Sequence, residues 1–221
     1  EAVLQHVLDL QKTETDAAKG EFAGAFPQST TNTYDLAGTT FTLNFLGQTL
    51  KLLHEAEANQ PGFLSIDPDL FQRLNEACRK AIVLTLTNQK WYAYGLQYSN
   101  QYGLIWSAAA AYLEYNPDPE IEALLKEKYQ DSDQFISPAG FYYEEGAFDM
   151  SYNLGVHTNN ISAEYTYFKD TEPEAKLLED QNRFIDWLSY NMVIEPDGSW
   201  FSTNGAPSRR ITTTGYSISV S

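Results

Sequence analysis

Helix-start punctuation recurs along this chain and constrains its fold more than any other feature. Asp67-Pro68 and Asp118-Pro119 each place a capping carboxylate ahead of a proline at the first helical position. Thr171-Glu172-Pro173-Glu174 reads as a capping box, with Glu174 three residues after the capping Thr. Apolar residues between these starts recur at helical spacing, and helices are expected over roughly 2–18, 34–58, 68–88, 97–115, 119–129, 149–169 and 172–193. The joining segments carry Gly and Pro, as in Gln60-Pro61-Gly62, Asn116-Pro117 and Pro196-Asp197-Gly198. The expected class is all-α. Successive helical hairpins fit an incomplete (α/α) toroid or a helical solenoid, because each pair must bury its apolar stripe on the next. An irregular bundle is the alternative.

The C-terminus departs from this pattern. Tyr216, Ile218 and Val220 alternate with Ser217, Ser219 and Ser221, a strand period in a stretch rich in β-formers. The expected organisation is a toroid-like helical domain over 1–207, then a linker and the start of a β-strand over 208–221. A lone strand is unstable, so this segment is expected either to lead into a β-domain beyond the chain or to lie along the helical body.

With 221 residues, 43% of them hydrophobic, the chain is long enough to bury a sizeable core. Fourteen Lys and Arg against thirty Asp and Glu give a formal charge of -16. Such a field repels phosphate backbones and anionic lipid, so neither nucleic acid nor a membrane is an expected partner. The single cysteine, Cys78, sits at helical spacing from Leu74, Ala77, Ala81 and Ile82 and is expected to be an inert core thiol. No apolar run is long enough to span a bilayer. The sequence opens at Glu1 directly on a helical pattern, from which we expect a removed leader or upstream region and hence a periplasmic or extracellular location.

Residues 139–168 are dense in groups that move protons. On a helix, Asn153, His157, Asn160 and Glu164 fall within about 60° of one another, so His157 belongs to a polar stripe. Tyr152 and Asn159 point about 100° away, yet at a first turn Tyr152 still leans towards the same opening. Tyr152 and His157 are therefore the candidate proton-transfer pair, with a merely solvated helix end as the plain alternative. Glu144, Glu145 and Asp149 form a second candidate set just ahead of the helix, although an acid at a helix start is accounted for by the helix dipole alone.

Upstream, Trp91 to Trp106 hold two Trp and four Tyr in sixteen positions. Flat rings with polar tips suit the edge of a cleft where sugars stack. Trp106, leading into an Ala-rich helix, is the expected core member, whereas Trp91, Tyr92 and Tyr94 sit in a loop-like stretch and are expected beside a groove with Trp200. Downstream, Arg209 and Arg210 make a local positive spot able to hold a carboxylate bidentately, or else pair with the acidic body. His6, His54 and His157 are far apart with no second His at ligand spacing, and phosphate-loop and nucleophile-elbow motifs are absent, so no metal or cofactor is expected.

The order of these pieces resembles the helical domain of the heparinase II/III-like and alginate-lyase-like polysaccharide lyases. The resemblance rests on "GFYYEEGAFDMSYNLGVH" at 140–157, a helix with Trp187, "PDGSWF" at 196–201 and "SRR" at 208–210. It implies an incomplete α/α toroid followed by β-sheet domains, and β-elimination of uronate-containing polysaccharides. By position it implies Tyr152 and His157 as the proton-transfer pair, Arg209 or Arg210 as a carboxylate-binding Arg, and Asn159, Asn160 or Asn44 as the neutraliser. Trp91, Tyr92, Tyr94, Asn44, Glu145 and Trp200 are the expected substrate contacts. The acidity of the chain departs from the basic cleft of such enzymes. This leaves open a glycoside hydrolase with paired carboxylates, which would need Glu144 or Glu145 with Asp149, or a non-catalytic glycan-binding module.

Overall fold

A computed structural model describes residues 1–13, 22–28, 31, 33–62, 67–157 and 165–202, with residues 201 and 202 described by their backbone alone. The protein is all-α in class. Among the described residues its helices include α1 (Ala2–Leu10), α2 (Leu36–Asn59), α3 (Pro68–Thr87), α4 (Gln89–Gly95), α5 (Ser99–Leu113), α6 (Pro119–Gln130), α7 (Met150–Tyr152) and α8 (Glu172–Asn191). A 3-10 turn follows α6 at Ser132–Phe135, and α7 runs into one turn of π-helix at Asn153–His157.

Two of the proline starts cap as their sequence demands. The Asp67 carboxylate accepts from the amide of Asp69, and that of Asp118 accepts from Glu120 and Ile121. The third start is different: the Thr171 hydroxyl turns back and donates to the Phe168 carbonyl. Glu174 reaches back as a capping-box acid should, but it accepts from the amide of Asp170. The Asp170 backbone, at φ +63°, brings that N–H round to the carboxylate.

Helix α5 is the centre of the molecule. All fifteen of its residues are buried, so it shows no polar face and Ala108 to Ala111 meet neighbours on every side. It packs most extensively on α2, where Gly47 lets the two backbones approach: a Cβ there would lie 3.1 Å from the Ala108 carbonyl oxygen. Helix α3 packs on α2, α5 and α6, and Cys78 lies fully buried in it among Leu74, Ala77, Ala81 and Ile82. Burial pushes its thiol pKa up to about 12, as a core thiol requires. Tyr102, Trp106, Tyr129 and Phe135 join α5, α6 and the 3-10 turn as an aromatic core, with ring centroids 5.2–6.2 Å apart.

Three elements depart from the sequence reading. The first helix, expected over 2–18, ends at Leu10, and Gln11, Lys12 and Thr13 are not helical. Residues 89–95, expected as loop, form α4, whose start is capped by the Asn88 side chain accepting from Lys90 and Trp91. After α8 the chain forms an antiparallel hairpin of β1 (Met192–Ile194) and β2 (Trp200–Ser202) around the Pro196-Asp197-Gly198 turn, where Gly198 adopts φ +85°. The strand expected at 216–220 lies outside the described residues. No helix among the described residues is long and apolar enough to cross a membrane.

Candidate functional site

A cleft of about 510 Å³ opens where the start of α2, helix α4, the start of α5 and α7 converge. Asp35, Phe41, Lys90, Tyr94, Asn100 and Tyr152 are among the residues that line it, and Trp91 forms part of its wall. The aromatic stretch and the Tyr152 segment, about sixty residues apart in sequence, therefore share one cavity. Tyr94 is 45% exposed and Phe41 48%, whereas Trp91, expected to be open, is only 6% exposed. As part of α4, Trp91 turns one side into the core, where its ring meets Phe22 edge-on at 5.2 Å.

Tyr152 is half-buried and reaches the cleft because α7 is started by Asp149, whose buried carboxylate accepts from the amides of Ser151 (2.9 Å) and Tyr152 (3.4 Å). Asn100, at the start of α5, lines the same cleft. Its backbone N–H donates to Glu144 Oε1 at 2.8 Å, so a buried carboxylate from the loop before α7 caps α5. The Asn100 side chain is buried, and its Oδ1 has no hydrogen-bond partner among the described residues. An unpartnered buried carbonyl oxygen costs stability, which makes Asn100 Oδ1 at the cleft a candidate to accept from a ligand. The sequence reading missed Asn100. The signal available to it was a polar Ser-Asn-Gln triplet opening a helix otherwise lined by apolar residues.

His157 lies behind this wall and not on it. The polar stripe expected to face the opening is buried: Asn153 is 0% and His157 2% exposed. The loop at 142–145 covers it, with the Asn153 amide clamping both the N–H (2.8 Å) and the carbonyl (3.1 Å) of Tyr142. The His157 ring stacks on Tyr142 with centroids 4.1 Å apart, and its Nε2 lies 3.0 Å from Ser99 Oγ. Burial lowers its pKa to about 3, so the imidazole is neutral.

The other expected site residues fall as follows. Asn44 accepts from Ser107 Oγ across the α2–α5 interface at 3.2 Å and is not part of the cleft wall described above. Half-buried Tyr92 packs edge-on against Tyr102 and Phe135 of the core, with Lys128 Nζ over its ring. Exposed Glu145 holds φ +53°; its carboxylate accepts from the Tyr98 hydroxyl at 2.8 Å, and its N–H donates to the Gln97 carbonyl at 2.7 Å. Trp200 sits on β2 opposite Ile194, away from the cleft lining. Asn159, Asn160, Arg209 and Arg210 lie outside the described residues. No group of three His, Cys, Asp or Glu able to hold a metal occurs among the described residues. Protein-family models, curated sequences and solved structures give no match to this chain.

Proposed function

We propose that this is the helical domain of a carbohydrate-active enzyme, a polysaccharide lyase that cleaves uronate-containing glycans by β-elimination. One observation carries the reading: Tyr152 and Asn100, whose buried Oδ1 has no hydrogen-bond partner among the described residues, line the same cleft as Trp91 and Tyr94. In β-elimination the proton next to a carboxylate is removed, its electron pair becomes the C4–C5 double bond, and the glycosidic oxygen leaves with a proton. Tyr152 is the group that moves the proton. The Asn100 side chain can donate to the uronate carboxylate only through its Nδ2–H, as negative charge develops there, while its unpartnered Oδ1 accepts from a sugar hydroxyl. His157 supports the wall through Ser99 without touching the sugar. Packing of α2 on α3, α4 on α5 and α5 on α6 is in keeping with an incomplete α/α toroid.

The paired-carboxylate alternative is less well supported. Glu144, Glu145 and Asp149 each accept hydrogen bonds that cap a helix or fix a loop. Incubation with uronate polymers distinguishes the reactions. Elimination yields an unsaturated, ultraviolet-absorbing end; hydrolysis yields new reducing ends with no such absorbance and would overturn the proposal.

A further inference from the structure

Lys90 and Tyr94 stand one turn apart on α4, at the i and i+4 spacing that puts side chains on the same face, and both line the cleft. Lys90 is exposed and makes no ion pair among the described residues. This is unusual in a chain with thirty acidic against fourteen basic residues, where Lys51, Arg73, Arg79, Lys126, Lys176 and Arg183 are all paired with carboxylates. The acid that shares the cleft, Asp35, has both oxygens engaged: Oδ1 accepts from the Gly38 amide and Oδ2 from the Thr33 hydroxyl, at 2.8 Å each. Its charge sits at the start of α2, where the helix dipole offsets it in part. The Tyr94 ring is braced by Tyr98, centroid to centroid 4.6 Å.

We infer that Lys90 and Tyr94 form a subsite for a carboxylated sugar ring beside the reacting position, the ring resting on Tyr94 and the carboxylate on the Lys90 ammonium. An ammonium next to an aromatic face matches the two chemistries of a uronate, an apolar ring face and an edge anion. The inference rests on the glycan-cleft reading above and adds where the negative charge of the substrate is recognised. It places a local cation in the cleft of a protein whose overall field repels anions, so the attraction is short-ranged and sensitive to salt.

The test is calorimetric titration of the whole chain with tetrasaccharides of mannuronate, guluronate, galacturonate and glucuronate, each beside its carboxyl-reduced neutral counterpart. For the uronate that binds, Lys90→Ala weakens affinity about tenfold at low salt and leaves the neutral counterpart unchanged, while Lys90→Arg restores it. Tyr94→Ala weakens both forms. Equal losses on charged and neutral ligands from Lys90→Ala, no loss at all, or no binding of any of the four uronates overturns the subsite. Charge-selective binding that depends on Lys90, without any unsaturated product, upholds the subsite and overturns the lyase.

Discussion

Nε2 of His157 lies 3.0 Å from Oγ of Ser99, and that hydroxyl places its one proton on the Tyr143 carbonyl at 2.7 Å. The imidazole must therefore be the donor, which fixes it as the neutral Nε2–H tautomer. The Ser99 amide also donates to the Tyr143 carbonyl, at 3.1 Å. His157 thus reaches the cleft through Ser99, the residue next to Asn100, and acts as a positioning group.

A His held neutral by burial makes stability depend on pH with a definite sign. The folded pKa, about 3, lies below the ordinary 6.5, so the unfolded chain binds the extra proton. His157's contribution is fully present above pH 6.5 and is lost as pH falls towards 3, by roughly 1.4 kcal/mol per unit. Urea unfolding at several pH values reads this slope. His157→Gln is expected to be less stable at pH 7 and to flatten the slope between pH 6 and 4; an unchanged slope would show that the imidazole titrates normally.

The carboxylates ahead of α7 are expected to tolerate loss of charge. Glu144→Gln keeps an acceptor for the Asn100 amide, and Asp149→Asn keeps an N-cap. Each should cost about 1 kcal/mol of stability or less and leave turnover within a few-fold. A loss of a thousandfold in turnover from either would instead favour paired-carboxylate hydrolysis.

Gly140 supports the loop that carries this wall. It adopts φ +108°, and a Cβ there would lie 2.3 Å from the Arg183 carbonyl oxygen on α8. Gly140→Ala must both strain the backbone and push α8 away, at a cost of about 2–4 kcal/mol. Thermal unfolding of the variant should show a clear drop in Tm; a variant as stable as the parent would mean that α8 is not docked there.

Helix existence was legible in the sequence because it depends on local signals: the Asp67 and Asp118 caps and the apolar spacing of α3 each act within a few residues. The fate of the Asn153–His157 stripe was not legible. A helical wheel gives direction about an axis, and what lies in that direction was set by Ser99 and Tyr142, of which Ser99 is 58 residues away in sequence. The π-turn at 153–157 also holds more residues per turn than the roughly 3.6, or about 100° step, that the wheel assumes. Helix α4 was missed because it is only seven residues long, three of them aromatic, and its cap is a lone Asn88. Tyr152, Tyr94 and Trp91 were chosen for their chemistry, and the fold brings them to one cleft. Asn100 became visible only once Glu144 was seen capping α5 beside it.

Tyr152→Phe tests the central claim most directly, because it removes the hydroxyl and keeps the ring. Two quantities are measured on a uronate oligosaccharide that the parent protein cleaves: the rate at which the unsaturated product appears, and the Kd. Turnover is expected to fall by about 10² to 10⁴ while Kd changes by no more than a few-fold. Turnover that survives the loss of the Tyr152 hydroxyl would contradict the assignment of proton transfer to that residue.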